Sequence, residues 1–130
     1  MADKVDNWRT WIVKADQYIR AASPEGRKSK FNNAIRYNML SMSFEGYVMA
    51  VMDFHKRLPE NHTFTDLVTG LEAVAPVSET LKQRILQYEN IQSICSLEKY
   101  HTQDPKEEEL MDLEAAIREI GTLAHHVCME

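Results

Sequence analysis

The sequence predicts an all-α fold, an up-and-down bundle of four to five helices with a long central second helix. Three observations carry that expectation. Four Gly and four Pro punctuate the chain at only a few points, where helices cannot continue. Between those points apolar residues recur at intervals of three and four, the helical period. No stretch alternates for long with period two, so no strand is expected. With 130 residues, 44% of them hydrophobic, the chain is long enough for one self-sufficient core and is read as a single domain over 1–130.

The first helix is expected over about 4–22, with Val5, Trp8, Ile12, Ala15, Ile19 and Ala22 on one face. Ser23-Pro24-Glu25-Gly26 ends it. The second spans about 29–57. Phe31, Ala34, Ile35, Met39, Met42, Met49, Met52 and Phe54 recur along it, with Leu40, Phe44, Tyr47, Val48 and Val51 on other faces. A helix apolar over so much of its circumference is buried on several sides. Its length would be roughly 40–45 Å at 1.5 Å per residue. The methionine stripe reads first as core, with a dimer face or adaptable groove as alternatives.

A short third helix begins near Thr65, capped by Thr63 or Thr65, with Leu67, Val68, Leu71 and Val74 inward. Ser78 suits the N-cap of a fourth, carrying Leu81, Ile85, Tyr88, Ile91 and Cys95 to about residue 96. The last helix, over 105–128, has Asp104 as expected N-cap, Pro105 in its first position and Glu107 reaching back. Leu110, Leu113, Ile117, Ile120, Ala124 and Val127 form its seam.

Charge is unevenly spread behind a net −5. Residues 1–36 hold eight Lys/Arg against four acids, and 100–130 hold two against eight. Oppositely charged helices packed as neighbours account for this most simply. Arg27, Lys28 and Lys30, at a helix start, are also weak candidates for phosphate contact, although the overall balance supplies no long-range attraction to nucleic acid. No membrane-spanning run occurs, and two cysteines are too few for a disulfide framework, so a cytoplasmic protein with reduced thiols is expected.

Trp8 and Trp11 through Tyr18 read W-x-x-x-A-x-x-y. Phe44-Glu45-Gly46-Tyr47 sets a Glu among small and apolar residues on the second helix. Leu58-Pro59-Glu60-Asn61-His62-Thr63-Phe64-Thr65-Asp66-Leu67 connects to the third helix, and Glu98-Lys99-Tyr100-His101 precedes the last. Together these segments resemble the HEPN family (higher eukaryotes and prokaryotes nucleotide-binding domain). The connection is similar to the family's P-x-T-H-D-L, with Phe64-Thr65 in place of Thr-His, and the later segment to its A-R-Y-P, with Lys99 for Arg and His101 for Pro. The resemblance implies a small helical bundle, often dimeric, that binds nucleotide or RNA or partners a nucleotidyltransferase.

Ribonuclease members carry Arg, four to six residues, then His. Arg57 to His62 has the spacing but contains Pro59 and lies too early. Arg118 to His125 has six intervening residues but lies within the last helix rather than near its start. The chemistry needs an acid or base at a ribose 2′-hydroxyl and a guanidinium at the phosphate.

The expected function is therefore a non-catalytic HEPN-like binding module, a homodimer that binds nucleotide or RNA or accompanies a nucleotidyltransferase. Its expected site is Glu45, Lys99, Tyr100 and His101, where Glu45 accepts from base or ribose, Lys99 pairs with phosphate, Tyr100 stacks and His101 donates. If Glu45 is structural instead, Arg20 or Arg36 is its expected partner. One alternative is a metal-independent ribonuclease using His101 or His125. Another is a structural or adaptor dimer. No cofactor or metal is expected: His125 and Cys128 share a helix face, yet two further ligands are not near in sequence.

Overall fold

The computed structural model describes residues 7–23, 33–57, 59, 61, 63–89 and 105–129. Among them the chain forms five helices and no strand: α1 (Asn7–Ala22), α2 (Asn33–Phe54), α3 (Phe64–Val74), α4 (Glu79–Leu86) and α5 (Glu107–Met129). This is an all-α bundle with α2 at its centre, packed against α1, α3 and α5. In the described residues no helix is long and apolar enough to cross a membrane.

The α1 stripe is buried as spaced, from Trp8 through Ile12, Ala15 and Ile19 to Ala22. On α2 the burial runs nearly all round, from Tyr37 and Leu40 through Phe44 and Val48 to Met52. The methionine stripe divides: Met49 and Met52 are core, Met39 is partly buried and Met42 is exposed, as are Ile35 and Phe54. Trp8 meets Phe54 edge-on at 5.6 Å, while Arg36 bonds to the carbonyl of Ala22. Those contacts join the start of α1 to the end of α2 and the reverse, so the two helices are antiparallel. Ser43 donates to the Ala15 carbonyl at 2.8 Å, and a Cβ on Gly46 would fall 2.9 Å from that of Ala15. Small residues thus bring the two backbones close at mid-helix.

Helix ends fall where the capping groups act. α2 closes at Phe54, not 57, and its described start is Asn33, so these residues span about 33 Å. The Lys56 and Arg57 amides return to the carbonyls of Asp53 and Met52, with Lys56 at φ 60°. That left-handed turn satisfies the last carbonyls and stops the helix. Thr63 caps α3 as expected, accepting from the Asp66 amide. Phe64, behind the cap, is buried against Phe44.

Ser78 caps α4 as expected, but the helix stops at Leu86 rather than near 96. The Tyr88 amide turns back to Ile85, and its carbonyl accepts from the buried Tyr37 hydroxyl. Glu89 then caps α3, accepting from the Thr65 amide and hydroxyl. The chain thus turns at residues 87 and 88 and is helical again at Glu89; Ile91 and Cys95 lie outside the described residues.

The start of α5 is displaced by two residues from the expected one. Glu109, not Glu107, reaches back, accepting from the Lys106 amide at 2.8 Å, and the Leu110 amide bonds to the Lys106 carbonyl. Lys106 is therefore the cap position. Glu107 instead binds Arg36 at 2.7 Å. The seam is buried from Leu110 through Leu113, Ile117 and Ile120 to Ala124.

Candidate functional site

The contact between α1, α2 and α5 gathers four functional side chains. Asp16 follows the core residue Ala15 on α1 and therefore stands at the rim of the buried stripe. Tyr47, one turn beyond Ser43 on α2, reaches across to it, and its hydroxyl donates to the Asp16 carboxylate. The tyrosine ring fits there because residue 121 is glycine. A Cβ on Gly121 would lie 2.8 Å from Cζ of Tyr47 and 3.1 Å from its hydroxyl. One turn further along α5, Nε2 of His125 lies 3.1 Å from both carboxylate oxygens of Asp16. The imidazole and the tyrosine ring are 6.2 Å apart, edge to face.

Arg118, two turns before His125, lies on the same face of α5. Its Nε donates to Glu114 at 3.0 Å, and its charge acts on the Tyr47 phenol. The cluster has a buried inner wall and an open outer one. Tyr47 is 4% exposed, whereas the His125 and Asp16 side chains are 42% and 33% exposed.

Burial is the main reason that the Tyr47 phenol is pushed well above its ordinary value; the hydrogen bond to Asp16 and the carboxylate charge add to it. Tyr47 therefore serves as a donor and not as a base. A carboxylate on one nitrogen of the His125 imidazole sets the ring's orientation and tautomer. Arg118 supplies a permanent positive charge within the same patch. Chemically, the arrangement can bind an anion and move a proton beside it.

Of the residues expected from sequence to form the site, Glu45 is half-buried on α2, two positions before Tyr47. Lys99, Tyr100 and His101 lie outside the described residues, as do Arg27, Lys28, Lys30 and His62. Arg36, one expected partner of Glu45, is committed elsewhere: it donates to the Ala22 carbonyl at 2.9 Å, to Asn33 and to Glu107. Of the Arg118 and His125 pair, too deep in the last helix for the expected pattern, His125 joins Asp16 and Tyr47 while Arg118 bonds to Glu114 on the same face.

Asp16 and Tyr47 were missed, because 109 positions separate Asp16 from His125 and 31 separate it from Tyr47. Gly121, four before His125 in an otherwise well-filled helix, was the available signal for a close approach.

His125 and Cys128 do not form a metal pair. His125 is turned to Asp16, and the buried Cys128 thiol donates to the Ala50 carbonyl at 3.6 Å. Burial, with a smaller effect from Asp53, pushes that thiol up to about 11. Among the described residues no three His, Cys, Asp or Glu side chains gather for a metal ion. No protein-family model, curated protein or solved structure matches the chain.

Proposed function

We propose that this chain is a HEPN-like RNA-binding module whose contact face surrounds Arg118 and His125. The observation that supports it is the convergence of Tyr47 and His125 on Asp16, with Arg118 on the same face of α5 as His125. Arg118 and His125 stand about 10 Å apart along the axis of α5. A guanidinium there pairs with phosphate oxygens, and an imidazole donates to phosphate or ribose. With a net charge of −5, such binding rests on a few local contacts and loses affinity only gently as salt rises. In this reading the module works in the cytoplasm as a homodimer, alone or beside a nucleotidyltransferase.

One observation favours a second reading in which bound RNA is cut. Asp16 holds His125 by Nε2, as a carboxylate orients a general-base histidine. The ribose 2′-hydroxyl would pass its proton to His125 while its oxygen bonds to phosphorus. The bond to the 5′-oxygen breaks, and that oxygen takes the proton from the imidazolium. A 2′,3′-cyclic phosphate and a 5′-hydroxyl result, with Arg118 balancing charge on the phosphorane. No metal enters this scheme.

Fluorescence anisotropy with labelled single-stranded RNA in EDTA, followed by electrophoresis of the same samples, separates the two readings. Binding without cleavage, weakened about tenfold by Arg118→Gln and by His125→Ala, supports the module. Cleavage that disappears in His125→Ala supports the ribonuclease. Absence of binding across a broad RNA panel overturns both. Sedimentation of the wild-type chain tests the dimer, which a monomer at micromolar concentration would exclude.

A further inference from the structure

A cavity of about 320 Å³ lies at the corner where α2 turns back past Pro59 to α3. Its apolar wall is Met52, Pro59 and Ala73, with Gly70 between them. A Cβ on Gly70 would fall 2.8 Å from Sδ of Met52, so glycine at 70 lets the Met52 thioether lie against α3 as part of the floor. Two opposite charges, Arg57 and Asp66, border this apolar floor.

Among the described residues neither charge forms an ion pair with the other or with a third residue. Arg57 is exposed, and the turn after α2 fixes its backbone through the Met52 carbonyl. Asp66 uses one carboxylate oxygen to accept from the Thr63 hydroxyl at 3.0 Å. Opposite charges at the border of a shared apolar floor fit a ligand that carries both signs and a hydrocarbon group.

Size narrows the class. The volume is at the lower end of small-molecule sites, roughly 300–1,000 Å³, which suits a compact ligand better than a nucleotide. We infer that this corner binds a small apolar α-amino acid as its zwitterion. The carboxylate pairs with the planar Arg57 guanidinium, which matches two oxygens at once. The ammonium group meets Asp66, and the side chain rests on Met52, whose thioether adapts to irregular shapes. The site is separate from the α1–α2–α5 face and does not depend on its function.

Amide NMR titrations of the full chain with L-leucine, L-methionine and L-phenylalanine test this assignment. The expected result is saturable shifts near Met52 and Gly70 with at least one of the three. Arg57→Gln and Asp66→Asn should each weaken that binding roughly tenfold. Both are mild changes: Arg57 is exposed, and asparagine still accepts from Thr63. With leucine as ligand, N-acetyl-L-leucine should lose the dependence on Asp66 and L-leucinamide that on Arg57; the same derivatives of whichever amino acid binds serve otherwise. No saturable shift with any of the three, or equal affinity in wild type and both variants, would overturn the inference.

Discussion

Tyr47 acts at the scale of a single side chain, and its setting makes the fold sensitive to alkali. Its phenol is buried and donates to a carboxylate, so the folded chain holds the neutral form to higher pH than the unfolded chain does. Tyr88 behaves alike: burial, then its bond to Asp112, pushes its phenol up to about 12. The sign follows from linkage. The folded value exceeds the unfolded one, so the stabilisation is whole below about pH 10 and is lost as pH rises above it and the unfolded chain ionises. A pH series of melting temperatures should therefore fall from about pH 10 upward. Tyr47→Phe should flatten that fall; an unchanged alkaline limb would show that the phenol is not held neutral by the fold. From sequence alone Tyr47 read as one more apolar residue of α2. Its polar role depends on Asp16 and Gly121, which only packing brings near.

At the scale of elements, caps written in short-range chemistry were readable, and ends set by distant partners were not. Thr63 and Ser78 each accept from an amide three residues on; the sequence names Ser78 outright and Thr63 as one of two candidates. α4 ends early at a turn where the Tyr88 amide returns to Ile85 and the Tyr88 carbonyl accepts from Tyr37, a partner not adjacent in sequence. The start of α5 lay between these cases. Three consecutive acids made a capping carboxylate certain, but which acid caps depends on Arg36 having claimed Glu107.

The turn after α2 carries a further consequence. Lys56 holds a left-handed conformation that favours glycine. Lys56→Gly should stabilise the fold by about 1 kcal/mol, a rise of roughly 4 °C in Tm. A lower Tm would mean that the lysine side chain contributes more than its backbone costs.

For the whole molecule, Arg36 is the junction. It is 3% exposed and ties the end of α1, the first turn of α2 and the first turn of α5 together. Nη2 is buried with no hydrogen-bond partner among the described residues, so part of its desolvation is not recovered there. Its contribution therefore divides between hydrocarbon packing and ionic bonds. Arg36→Ala should cost about 3 kcal/mol and Arg36→Met about half of that, measured by urea unfolding. Equal losses would assign the whole effect to the charged bonds.

The sequence by itself determined the helical class and the punctuation of the chain. It also named most of the inward positions, such as Ile12, Leu71 and Ile117. Those depend on a period of 3.6 and on residues three or four apart, information that is local. Tertiary structure alone decided where α4 stops, which acid begins α5, that Ile35 and Met42 face outward, and that Asp16, Tyr47 and His125 meet. These outcomes rest on contacts between residues as far as 109 positions apart. A polar side chain at the rim of an amphipathic helix carries no mark of the partner it will find. That partner is chosen when the apolar faces close and bring the rims of three helices together.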